Sequence, residues 1–188
     1  MQNDVPSYTT VDGDRVRFLR TAADTDGRLL EMHMTYAPHP KAPPLHLHPV
    51  QDEHFEVLEG SMWTQVGGVE RTYVAGESFD VPAATPHAMR PAGADGAEII
   101  WQVRPALQSE ALFRNLWGID DAATGSPERV SKGDSTGGRR SLLRTVATLR
   151  AYAPEFRLVK PSFGVQRVVF AVLGPIANAL GYGIERPA

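Results

Sequence analysis

With 188 residues, 42% of them hydrophobic and 22% charged, the chain has the composition of a soluble globular protein and the length for one domain with a substantial core, or for one domain plus an appendage. A net charge of −3 gives no reason to expect nucleic acid, and the absence of cysteine excludes disulfides, thiolate catalysis and cysteine-based zinc sites. The amino terminus, Met1-Gln2-Asn3-Asp4-Val5-Pro6, has neither a basic start nor an apolar run, so no secretory signal is read and a cytoplasmic location is expected.

From about Arg15 to Pro105, short extended runs are broken by glycine, proline and acidic turns, which predicts an all-β unit. The expected strands are Val16 to Leu19, Leu29 to Tyr36, Leu45 to His48, Phe55 to Leu58, Met62 to Val66, Val69 to Val74, Ser78 to Val81, His87 to Arg90 and Glu98 to Arg104. Gly67-Gly68 supplies a two-residue hairpin turn, because glycine tolerates the positive φ that such a turn needs. This many short strands at this spacing predict a sandwich or barrel over residues 1–106.

Beyond Pro105 the pattern becomes helical, and residues 107–188 are expected to form a helical extension. Ser109 to Gly118 reads as a short helix with Leu112, Phe113, Leu116 and Trp117 on one side, and residues 119–138 read as a linker rich in glycine, serine and charge. A second helix is expected from Arg139 to Ala153, with Leu142, Val146, Leu149 and Ala153 on one face and Arg140, Arg144 and Arg150 on the other. Val168 to Ile184 has no charged residue, but its 17 residues fall short of a span and Gly174-Pro175 and Asn178 interrupt it. A buried or docking helix is expected there, with placement on a membrane surface or against a partner as the alternative. Residues 1–138 carry 11 basic and 20 acidic side chains, whereas residues 139–188 carry 8 and 2, so the two parts are expected to have different surroundings.

The chemistry concentrates in His46-Leu47-His48-Pro49-Val50-Gln51-Asp52-Glu53, answered later by His87. Side chains two apart on a strand share a face, so His46 and His48 project together while Leu47 faces away. Glu53, beyond the Pro49 turn, can enter from the start of the next strand. Three imidazoles and a carboxylate suit iron, manganese, nickel, copper or zinc. If Glu53 points inward, Phe55 and Val57 do too, while His54 and Glu56 face outward, which sets His54 aside as a ligand. Met32, Met34, Tyr36, Phe79 and Trp101 are further lining candidates, with core packing as the favoured role. Gln51 and Arg90 lie near ligands in sequence as candidates for orienting a substrate, and His33 and His39 are expected to be ordinary surface or structural histidines.

The run His46-x-His48, four residues, Glu53, six residues, Gly60 resembles the first motif of the cupin superfamily, and Gly76, five residues, Pro82, then His87 resembles the second. The 15 residues between Gly60 and Gly76 resemble the compact hairpin of small single-domain cupins. Three motif positions depart, with Pro40 and Ala84 in place of glycines and Pro91 in place of asparagine, and all are backbone positions rather than ligands. The resemblance implies a mainly β fold, a small double-stranded β-helix or jelly-roll barrel followed by C-terminal α-helices. It implies one divalent metal inside, held by His46, His48, Glu53 and His87, with iron(II) favoured, and a homodimer. A dioxygenase of an enolic or aromatic small molecule is the leading expectation, with Glu53 as ligand and candidate general base. The alternatives are a redox-neutral isomerase or cyclase of a polyketide-like or sugar-like compound, and a non-catalytic binding or sensor barrel. No phosphate-binding loop or helix-turn-helix is evident.

Overall fold

The computed structural model of the protein describes residues 5–10, 12–38, 41–119, 137–181 and 184. His39 and Pro40, and nearly all of the expected linker at 119–138, lie outside them. Ten strands, β1 (Ser7–Thr9), β2 (Arg15–Arg20), β3 (Leu30–Tyr36), β4 (His46–Leu47), β5 (Asp52–Val66), β6 (Val69–Val74), β7 (Ser78–Val81), β8 (His87–Pro91), β9 (Ala97–Arg104) and β10 (Arg157–Leu158), pair antiparallel throughout. Three helices follow the barrel strands: α1 (Ser109–Trp117), α2 (Gly137–Ala151) and α3 (Phe163–Ala179). The strand order is β1-β2-β3-β9-β5-β8-β4-β10, with β6 and β7 also on β5, so most pairings are non-sequential, as the strand pattern of a jelly roll requires.

β5 joins the two sheets. Its first half pairs with β9 and β7, its second half with β6 and β8, and the chain bends between them at Gly60. The register on β9 shifts between Val57 and Glu59, so inward-facing residues change from Glu53, Phe55 and Val57 before the bend to Met62 and Thr64 after it. A one-residue shift exchanges the two faces of a strand, which is why two separate strands are predicted here and one continuous strand is found. Gly60 has φ +73°, and a Cβ placed on it would stand 2.4 Å from the carbonyl oxygen of Gly96. Gly60→Ala is therefore expected to lower folding stability by roughly 2–4 kcal/mol, through left-handed strain and backbone displacement together. Urea unfolding would check this, and an unchanged midpoint would show that the bend tolerates a side chain.

Alternation on the strands fills one core, with Val16, Leu30, Met32, Phe55, Val57, Met62, Ile99 and Val103 fully buried. Leu112 and Phe113 of α1, and Tyr152 after α2, belong to the same cluster. α1 matches the expected span, ending where Gly118 takes φ +65° and its N–H bonds the carbonyl of Arg114. On α2, Val146 and Leu149 are buried as expected but Leu142 is exposed. Among the described residues no helix is long and apolar enough to cross a membrane.

Candidate metal centre

β4 and β8 set two of the imidazoles directly opposite each other, with His46 in register with His87 and their ring centroids 4.3 Å apart. His48, just past the end of β4, brings its ring to 5.6 Å from both. One nitrogen from each of the three rings lies within 4.8 Å of the others. Glu53 rises from the other sheet, where it pairs with Val81 and Val103, and its Oε1 stands 3.4 Å from His48 Nε2 and its Oε2 3.0 Å from His87 Nε2. All four side chains are buried.

The hydrogen bonds around the rings decide which nitrogen is available. His46 Nδ1 meets the carbonyl of Pro44 at 2.9 Å, His48 Nδ1 that of Glu155 at 2.7 Å, and His87 Nδ1 that of Thr85 at 3.0 Å. A carbonyl only accepts, so each Nδ1 is the N–H donor and each neutral ring keeps its lone pair on Nε2. His48 Nε2, His87 Nε2 and Glu53 Oε2 are buried and have no hydrogen-bond partner. Acceptors turned towards one another in a dry interior require a cation, or a proton in its place. The donor set therefore fits a metal ion, and carbonyl bonds to the distal ring nitrogens are the support that metal-ligating histidines ordinarily have.

The protonation balance agrees. Burial first, and then the charges of His87 and His48, push His46 down to about 3, so it is neutral at physiological pH. Burial also lowers His48, outweighing Glu53. For Glu53 burial opposes the charge, but His48 and His87 outweigh it and hold the carboxyl below its usual range. Burial likewise opposes a charge on His87, yet Glu53 raises it, so in the metal-free protein this is the ring that takes a proton. The 3.0 Å approach of His87 to Glu53 lacks hydrogen-bond geometry, so charge rather than a well-formed hydrogen bond holds that pair.

His46 and His87 open onto a cavity of about 600 Å³. Its walls carry Trp101 from the barrel, Phe113 and Trp117 from α1, and Phe156 from the segment that leads into β10. A polar corner holds Asp12, Asp14, Tyr36 and Lys41. Burial, then Asp14 and Glu53, push the Tyr36 hydroxyl far up, so it keeps its proton.

Of the residues expected around a substrate, Met34, Tyr36 and Trp101 line this cavity. Gln51, Phe55 and Phe79 do not, and each has another task. Gln51 Nε2 donates to the carbonyls of Pro105 and Ala106 and to Ser109 Oγ, clasping the barrel to the start of α1. Phe55 and Phe79 stack on each other in the core, 4.7 Å between centroids. Glu53 also stands behind the wall rather than on it, with Oε1 accepting a 3.0 Å bond from Trp101 Nε1. Parity holds for the rest: His54 faces out and meets Asp80 at 2.7 Å, His33 meets Glu98 at 3.2 Å, and Arg90 lies over the ring of Trp63.

Phe156 and the carbonyl of Glu155 go unrecognised in sequence. The Phe156 ring stacks on His46 at 4.7 Å and 23°, while Glu155 fixes His48. β10 pairs with β4, Leu158 opposite His46, so a strap 107 residues from His48 closes the centre. Phe156 and Leu158 flanking Arg157 is a short alternation that signals a strand, but nothing in it names the partner.

The sequence model of the family described as Cupin domain matches residues 32–103. The barrel is a cupin domain. Two solved structures share its fold: KdgF from Halomonas sp., 15% identical, with a TM-score of 0.50 over 58% of this chain and 94% of that one, and an RmlC-like cupin from Shewanella frigidimarina, 20% identical, with a TM-score of 0.50 over 58% and 92%. No curated protein sequence matches the chain. Both solved cupins are covered almost completely while 42% of this chain is left over, so the cupin barrel here carries a large addition, and its strap supplies contacts to two of the three histidines.

Proposed function

We propose that this cupin holds one divalent transition metal, iron(II) foremost, on His46, His48, Glu53 and His87, and acts as a dioxygenase on a small enolic or aromatic molecule. The observation that carries the reading is the aromatic cavity of about 600 Å³ into which His46 and His87 open. Iron bound there would supply a redox-active Lewis acid at which oxygen and a chelating substrate meet. The chain's own residues do the rest. Trp101, Phe113 and Phe156 offer flat apolar faces to a planar substrate and exclude water. Tyr36, whose hydroxyl keeps its proton, and Lys41 give the cavity a polar side that suits a substrate carrying oxygen functions. Trp101 fixes Glu53, which favours a steady ligand over a mobile base.

The polar corner of Asp12, Asp14, Tyr36 and Lys41 supports a second reading, redox-neutral isomerisation of a more hydroxylated, sugar-like or polyketide-like compound. Oxygen-electrode assays of the iron-loaded protein with 1,2-diphenols and 1,3-diketones separate the two. Oxygen uptake that tracks substrate loss in the wild type and vanishes in His46→Ala is expected. Conversion that proceeds equally under argon would overturn the dioxygenase reading in favour of isomerisation, and binding without conversion would leave a sensor.

A further inference from the structure

The side chain of Trp101 belongs to two sites at once. On β9 it lies opposite Phe55 of β5, while Glu53 lies opposite Val103, so Trp101 and Glu53 are diagonal neighbours on the inward face of one strand pair. At that separation an aromatic and a long side chain can meet. They do so through one bond, Trp101 Nε1 donating to Glu53 Oε1 at 3.0 Å, with both side chains buried. The indole also packs against Phe55, 5.4 Å between centroids, and against Phe113 at 4.8 Å, and it forms part of the cavity wall that carries His46 and His87.

The bond makes the two oxygens of Glu53 unequal. Oε1 has the indole N–H, whereas Oε2 has no hydrogen-bond partner and stands 3.0 Å from His87 Nε2, which has none either. We propose that Trp101 is a positioning residue of the metal centre, its N–H holding Oε1 aside so that Oε2 is the oxygen presented to the ion. The inference rests on the metal-binding reading above and is independent of which reaction the centre carries out. An indole has one donor and no acceptor, so it orients the carboxylate without competing for the metal. The last torsion of a glutamate is broad, and without the bond the carboxylate is free to turn and offer the ion either oxygen or both. Holding it to one oxygen leaves open a coordination position that a two-oxygen grip would fill. Because the ring that faces the cavity is also the ring that holds the ligand, a change made at Trp101 to reshape the substrate wall should alter the metal as well. Packing alone predicts otherwise, since a ring that only fills the core would leave the ion indifferent to its N–H.

Cobalt(II) alone is the probe, because its visible absorption changes with coordination geometry. Two versions of the full chain remove the N–H: Trp101→Phe, and a chain with 3-benzothienylalanine at position 101, in which sulfur replaces the indole N–H and the two-ring shape is kept. Both are expected to bind cobalt about 10–100-fold more weakly than the wild type, and to show a changed visible spectrum when saturated. The benzothienyl chain keeps the packing, so it answers the question even where Trp101→Phe fails to fold. Trp63→Phe is the comparison, since it removes an exposed indole bond to Glu70 at 3.3 Å and should leave affinity and spectrum as they are. Wild-type affinity and spectrum in the benzothienyl chain would overturn the proposal and make Trp101 a packing residue, and so would an equal loss in Trp63→Phe. A wild type that takes up neither cobalt nor iron would instead sink the metal reading itself, and this inference with it.

Discussion

His87→Ala is expected to strip the centre of metal and to destabilise the metal-free protein at once. His87 contributes the Nε2 opposite Glu53, at 3.0 Å, and sits in register with His46 across β4 and β8. Its loss removes a ligand directly, so metal affinity should fall by more than the roughly 10–100-fold that follows removal of an outer-shell partner. Glu53 would then remain in an interior where its side chain is wholly shielded, with only the neutral ring of His48 beside it at 3.4 Å. Breaking a buried pair from one side costs about 3–5 kcal/mol. Metal analysis after dialysis, together with urea unfolding in the presence of chelator, measures the two effects separately. His54→Ala serves as the comparison, since its ring faces outward against the exposed Asp80 and should change neither. Retention of wild-type metal by His87→Ala would remove this histidine from the centre.

The barrel was legible because its signals are local. Spacing two along a strand places His46 and His48 together, the Gly67-Gly68 turn fixes the β5–β6 hairpin, and the alternation from Glu53 to Val57 sorts inward from outward residues. Parity also separated His54 from its neighbour Glu53. What local signals do not carry is which distant segment completes a cavity. Phe55 and Phe79 share the inward parity of Glu53, yet stacking on each other places them in the core, because a barrel has more inward positions than its mouth can use. Gln51 stands next to the ligands in sequence, but its amide nitrogen is committed to Pro105, Ala106 and Ser109. Conversely Phe113, Trp117, Thr145 and Phe156 reach the cavity through helix packing and through the pairing of β10 with β4, and neither is encoded in a pattern readable along the chain. Ala84 shows a further limit. It adopts φ +60° where the family pattern has glycine, and its N–H donates to the carbonyl of His48 at 2.7 Å, so the motif's backbone shape survives the loss of its usual residue.

Phe156→Ala is the counterpart for the added strap, and it is expected to weaken metal binding by about 10–100-fold without removing a ligand. The ring lies against His46 and meets His48 edge-on at 5.7 Å, so it restricts two imidazoles at once. Truncation would leave those rings held by Pro44 and Glu155 carbonyls alone, and would enlarge the cavity where ligands and substrate wall meet. A stability cost below the roughly 3–5 kcal/mol of a wholly buried Phe→Ala change is expected, because Phe156 is only half-buried. Phe156→Leu restores bulk but not the flat stacked face, and should recover most of the stability and only part of the affinity. Competition with a chelating dye, alongside thermal unfolding of the metal-free proteins, reads the two quantities independently. Equal metal affinity in the wild type and Phe156→Ala would mean that the strap merely covers the barrel. A loss that Leu only partly repairs would make the C-terminal addition a working wall of the metal centre.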